Sequence, residues 1–137
     1  MTKTNWIEKN ISDIAEVTSS KRIYLSEYVP SGIPFFRGKE IIEKYNGNDV
    51  STELFIKEEK YNEIKNKFGV PSVGDILLTS VGTIGIPYFV EDNEKFYFKD
   101  GNLTWFRKYN KDICSKFLYY WIVSPEGSGK IKNRSIG

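Results

Sequence analysis

Residues 74–90 read Gly74-Asp75-Ile76-Leu77-Leu78-Thr79-Ser80-Val81-Gly82-Thr83-Ile84-Gly85-Ile86-Pro87-Tyr88-Phe89-Val90. Two short runs rich in Ile, Leu, Tyr, Phe and Val flank a loop with two glycines, which is the pattern of short strands joined by a tight antiparallel connection. The same signals recur on either side. Toward the C-terminus, Phe96-Tyr97-Phe98 and Leu103-Thr104-Trp105-Phe106-Arg107 are further strand candidates, punctuated by Asp92-Asn93 and Asp100-Gly101. Toward the N-terminus, Ser31-Gly32 marks a turn before Ile33-Pro34-Phe35-Phe36-Arg37, where Pro34 favours the start of a strand or a sheet edge.

Helical spacing brackets these strands. Ile7, Ile11, Ile14 and Ala15 predict a short helix from about Ile7 to Val17. Lys57 to Phe68 reads as a surface helix, with Tyr61, Ile64 and Phe68 in a narrow stripe, Glu63 and Lys67 paired at i,i+4, and Gly69 and Pro71 as the stop. Ile113, Cys114, Phe117, Leu118, Trp121 and Ile122 form a broader stripe, ended by Ser124-Pro125 and expected to pack on the sheet. The predicted class is α+β: a mostly antiparallel, twisted β-sheet with short flanking helices. The length of 137 residues suits one domain, residues 1–137.

Composition narrows the chemistry. No histidine is present, so Ser-His-Asp and Cys-His catalysis and His-rich metal sites cannot be assembled. Cys114 is the one cysteine, which excludes an intramolecular disulfide or a zinc finger and suits a reducing compartment. No apolar run approaches the ~18–20 residues that span a bilayer, and the N-terminus lacks a signal-peptide pattern, so the expected location is the cytoplasm, with no membrane partner. The formal net charge of +2 hides an asymmetry: residues 1–94 carry 11 Lys/Arg against 15 Asp/Glu, whereas residues 95–137 carry 9 against 3. A polyanion would meet the basic C-terminal third more readily.

Three chemistries deserve weighing. A magnesium-dependent nuclease would need clustered carboxylates and a lysine, and Glu58-Glu59-Lys60, Glu63-Ile64-Lys65, Asp75 and Glu94 supply candidates. The Glu-x-Lys triplets, however, fall on the predicted surface helix, where a salt-bridged solvated face is the simpler reading. Gly82-Thr83-Ile84-Gly85 has the Gly-x-x-Gly spacing of RNA-clamping loops but is flanked by strands rather than helices, so it reads as a narrow protruding turn. Finally, Lys21-Arg22, Arg37-Gly38-Lys39 and Lys99-Asp100-Gly101-Asn102 place Arg, Lys and Asn on loops, the side chains that pair with phosphates, guanine and adenine edges. The aromatics at Phe35-Phe36, Phe96 to Phe98 and Trp105-Phe106 are expected in the core.

Taken in order, Ile11-Ser12-Asp13-Ile14-Ala15-Glu16-Val17, then Gly32-Ile33-Pro34-Phe35-Phe36-Arg37-Gly38-Lys39-Glu40-Ile41, then Gly74 to Gly85, and last Phe117-Leu118-Tyr119-Tyr120-Trp121 resemble the target recognition domain of type I restriction-modification specificity subunits. The resemblance implies a DNA-reading module without catalysis of its own. It further implies modification and restriction subunits as partners. Those partners, rather than this chain, would bring S-adenosylmethionine, ATP and Mg²⁺. Members of the family normally carry two such domains separated by long helices, so this chain is expected to be the N-terminal one, cut before the spacer. Candidate contacts to double-stranded DNA are Lys21, Arg22, Arg37, Lys39, Ser80, Thr83, Lys99, Asn102, Lys132 and Arg134. The competing reading, from the many aromatic residues and the near-neutral total charge, is a protein- or glycan-interaction module.

Overall fold

A computed structural model describes residues 15–82, 84–109, 115–125, 127 and 129. Along the chain lie β1 (Glu16–Thr18), a 3₁₀ turn at Leu25–Glu27, β2 (Tyr28–Val29), β3 (Ile33–Phe36), α1 (Gly38–Tyr45), β4 (Leu54–Ile56) and α2 (Glu58–Lys67). There follow β5 (Ile76–Thr79), β6 (Pro87–Phe89), β7 (Tyr97–Phe98), β8 (Leu103–Arg107) and α3 (Ser115–Val123). The α+β class with mainly antiparallel pairing is borne out. The strands divide, however, between two four-stranded sheets, ordered β1-β8-β5-β6 and β2-β4-β3-β7. In the first, β5 pairs with β6 from Ile76↔Phe89 to Leu78↔Pro87, the hairpin expected from residues 74–90.

Alternation along the strands builds the layers. Leu77 and Trp105 point to one face of the first sheet, where they meet Phe36 and Phe98 from the second sheet and Ile41 from α1. Their neighbours Ile76, Leu78 and Phe106 point the other way, into a cluster with Leu118 and Ile122 of α3. In the second sheet Phe35 and Tyr97 face away from the shared core and pack with Tyr61 and Ile64 of α2. Both sheets are therefore buried on two faces, with α2 outside one and α3 outside the other. The expected core aromatics Phe35, Phe36, Phe96, Tyr97, Phe98, Trp105 and Phe106 are all buried.

Several expectations are corrected. The helix predicted from Ile7 to Val17 does not extend over its last residues: Glu16 and Val17 belong to β1, paired with Arg107 and Phe106 of β8. A strand ladder and an ion pair between Glu16 and Arg107, 3.3 Å apart, outweigh the local periodicity there; residues 1–14 lie outside the described residues. Pro34 stands second in β3, near the strand start that the sequence favours, but that strand is interior to its sheet rather than an edge. Its missing N–H is tolerated because β7 pairs only with Phe35 and Phe36, leaving β4 as the one neighbour at Pro34. That β3–β7 pairing is parallel, the exception among the strand pairs of the described residues. Phe117, placed on the buried stripe of the last helix, is 72% exposed, because the face that meets the sheet is set by Leu118 and Ile122.

Helix α1 was not evident from periodicity. Gly38 and the β-branched pair Ile41-Ile42 disfavour a helix by up to about 1 kcal/mol each. Fully burying a side chain such as Ile41, which is 0% exposed, stabilises by about 1.5–3 kcal/mol and decides the matter. The helix start is fixed by Glu40, whose Oε1 accepts the Arg37 backbone N–H at 2.7 Å.

Candidate nucleic-acid interface

The loop Lys99–Asn102 joins β7 of one sheet to β8 of the other, and three other segments attach to it. The Lys99 N–H donates to the Phe36 carbonyl at the end of β3, extending the parallel ladder by one step. The Gly101 N–H donates to Ser19 Oγ at 3.3 Å, and Arg22 Nε lies 3.4 Å from Asp100 Oδ2, which ties down the segment after β1. The Asn102 carbonyl accepts the Ser80 N–H at 2.9 Å and the Ser80 hydroxyl at 3.3 Å, bringing in the hairpin loop after β5. Gly101 sustains this tight turn at φ +78°, a conformation that favours glycine.

Six of the ten sequence-predicted contact residues thus lie on segments gathered at one end of the two sheets: Lys21, Arg22, Arg37, Ser80, Lys99 and Asn102. Lys39 lies two residues beyond Arg37, in the first turn of α1. Thr83, Lys132 and Arg134 lie outside the described residues. Lys21 is fixed at both ends. Its N–H donates to the Tyr97 hydroxyl at 2.6 Å and its ammonium stands 4.5 Å from the centre of the Phe68 ring.

Arg37 and Lys39 are less free than their sequence suggests. The Arg37 guanidinium donates from Nε and Nη2 to Glu40 at 3.1 and 2.9 Å, and again from Nη2 to Glu53 at 2.9 Å. Lys39 Nζ reaches the other oxygen of Glu53 at 3.1 Å. Hydrogen bonds to Glu40 and then Glu53 push the Arg37 pKa up, the bond to Glu53 raises that of Lys39, and Lys39 and Arg37 together hold Glu53 below the usual carboxylate value. Glu40 is buried at the base of this network, so Arg37 compensates an internal carboxylate.

Sequence reasoning missed a second basic feature. A groove of about 270 Å³ runs along the β1 and β8 ends, with Lys21, Lys67, Arg107 and Lys108 among its lining residues and Glu16 as the acidic one. Part of its signal, Arg107 and Lys108, lay in the basic character of residues 95–137, whereas Lys21 and Lys67 fall in the net-acidic residues 1–94. Which basic residues share a face, however, depends on β8 meeting the end of α2.

The acidic candidates have structural partners. Asp75 is buried at the turn into β5, and its Oδ2 accepts from Trp105 Nε1 at 2.9 Å and from the Ser72 N–H at 3.0 Å. Burial raises its pKa, against the lowering effect of these donors. Glu58 pairs with Lys95, Lys60 with Glu27, Glu63 with Lys67 and Glu94 with Lys44. Among the described residues no group of three or more Asp, Glu, His or Cys is placed to hold a metal ion, and no helix is long and apolar enough to cross a membrane.

No protein-family model matches the chain. Over 112 residues, 81% of its length, it is 31% identical to a Haemophilus influenzae protein described as a putative type I restriction enzyme specificity subunit. The match spans about a quarter, 27%, of that relative. The resemblance carried by the motifs is thereby borne out by overall sequence similarity.

Proposed function

We propose that this chain, a relative of a type I restriction specificity subunit along most of its length, reads a short target in double-stranded DNA for a restriction-modification complex. The observation that carries the reading is the convergence of three segments on the loop at residues 99–102, which gathers Lys, Arg, Ser and Asn at one end of a doubly buried scaffold. A rigid platform that presents such side chains meets the requirement for base readout, in which Arg or Lys pairs with guanine and Asn with adenine while other contacts grip phosphates. Ser80 and Asn102 are small polar groups of that end, and Lys99 is an exposed cation there with no ion pair among the described residues. Val81, 58% exposed beside Ser80, adds an apolar surface suited to a thymine methyl group.

On this reading the chain supplies specificity and no chemistry. Methyl transfer from S-adenosylmethionine and ATP- and Mg²⁺-dependent restriction belong to the modification and restriction subunits that it directs. A formal charge of +2 leaves the isolated chain a weak binder, and the partners raise affinity by linking further contacts. The test is selection of duplexes from a randomised pool by this chain together with a type I modification subunit from the same genome. Enrichment of one short motif is expected. A pool that stays random while the two proteins demonstrably associate refutes the proposal and favours a protein- or glycan-interaction module.

A further inference from the structure

The groove beside β8 is built around Arg107. Its Nη1 donates to the Phe68 carbonyl at 2.8 Å, covering a carbonyl at the end of α2, and its Nε pairs with Glu16 at 3.3 Å. The guanidinium lies 4.4 Å from the centre of the Trp105 ring. It packs so closely on Gly69 that an added Cβ there would stand 2.5 Å from Nη2. Fixed on four sides, the guanidinium is a largely buried, stationary positive charge at the base of the groove. Around it stand Lys67 from the last turn of α2, Lys21 over the Phe68 ring, and Lys108. Lys108 adopts φ +50°, a left-handed conformation uncommon outside glycine and asparagine, and has no ion pair among the described residues. Four cations thus face one carboxylate of the lining, Glu16, which Arg107 already engages, and Lys67 shares its charge with Glu63.

The groove is shallow and small beside the roughly 300–1,000 Å³ of enclosed ligand pockets, so it suits a segment of a polyanion passing through it. It also joins the loop end directly, because Ser19 and Lys21 belong both to the groove and to the segment tied to residues 97–101. We infer that this groove holds the sugar-phosphate backbone of the duplex whose base edges face the loop end, with Lys21, Lys67 and Lys108 as phosphate contacts and Arg107 as the anchored positive charge at its base. The inference rests on the DNA-recognition reading and assigns a backbone grip separate from the base-reading loops.

The test compares the full chain, bound to the modification subunit, with its Lys67→Gln, Lys108→Gln and double variants on a short duplex of random sequence. Each phosphate contact adds a slope of about 0.9 to the fall of log affinity with log salt. The double variant is therefore expected to lose about tenfold less affinity than the parent between about 50 and 200 mM salt, alike on every sequence. The motif enriched from a random pool should not change. Lys65→Gln, an exposed cation of the same helix outside the groove, controls for net charge. A double variant with the parental salt slope, or a Lys65→Gln variant that lowers the slope as much as Lys67→Gln, overturns the groove while leaving motif selection intact. Absence of any duplex binding by the parent overturns both the groove and the DNA-recognition reading.

Discussion

Trp105→Phe is expected to destabilise the protein by about 2.5–4 kcal/mol at neutral pH, and by less in acid. The indole N–H is a donor to a buried carboxylate, Asp75 Oδ2 at 2.9 Å, and a hydrogen bond to a charged group contributes about 1.5–3 kcal/mol. Trimming the buried indole to a phenyl ring removes a further ~40 Å² of apolar contact, about 1 kcal/mol at ~25 cal/mol/Å². The pH dependence follows from the Asp75 pKa, which burial raises above its ordinary value and the Trp105 N–H lowers. Below the unfolded-state pKa both states hold the proton and Asp75 costs nothing. As pH rises from there to the folded-state pKa, only the unfolded chain releases its proton, so stability falls, and above that the penalty is constant. Removing the indole donor raises the folded-state pKa further, so the deficit of the variant grows as pH rises from the folded-state pKa of the parent to the higher one of the variant. Urea unfolding followed by far-UV circular dichroism at pH 7 and near pH 4, in the native and Asp75→Asn backgrounds, measures each part. With Asn at position 75 the cost of Trp105→Phe should lose its pH dependence and shrink by about 1 kcal/mol, the difference between a charged and a neutral acceptor. An identical cost at both pH values and in both backgrounds would refute the assignment of this bond as charge-assisted.

Arg37→Ala is expected to cost about 2–3 kcal/mol of stability, because it leaves the buried Glu40 carboxylate without its guanidinium. Restoration of the melting temperature by adding Glu40→Gln would identify that loss as uncompensated charge. Gly32→Ala should destabilise by about 2 kcal/mol or more in chemical denaturation, since Gly32 has φ +155° and a Cβ would collide with the Ile56 carbonyl in β4. Tyr88 is pushed up to about 12 by burial and by Asp92, Glu91 and Glu94, while an unfolded tyrosine ionises near pH 10. Stability should therefore decline from pH 10 toward pH 12, and Tyr88→Phe should lessen that decline in thermal melts across this range.

The hairpin at 74–90, the strand at 103–107 and the helix at 58–67 were legible in the sequence because each rests on local signals: apolar runs, turn glycines and a stop at Gly69. Class and core aromatics followed from such signals, while the family resemblance rested on the order of the motifs at 11–17, 32–41, 74–85 and 117–121. Helix α1 was not legible, since its residues favour a helix weakly and only burial of Ile41 against the shared core selects it. Nor could the fate of Glu16 and Val17 be read locally, because their partner is β8, about ninety residues along the chain. The loops bearing Lys21, Arg22, Arg37, Ser80, Lys99 and Asn102 were recognisable by composition. Their convergence on residues 99–102 required both sheets, through pairings such as β3 with β7 that have no local signature. Tertiary structure alone also sets the state of each charge. It leaves Arg37 committed to Glu40 and Glu53, and it places Lys67, Arg107 and Lys108 on one groove. Sequence by itself determined what kinds of side chain this protein offers, because propensity and pattern are local. Which of them meet, and which remain available to a partner, depends on contacts between segments far apart in the chain.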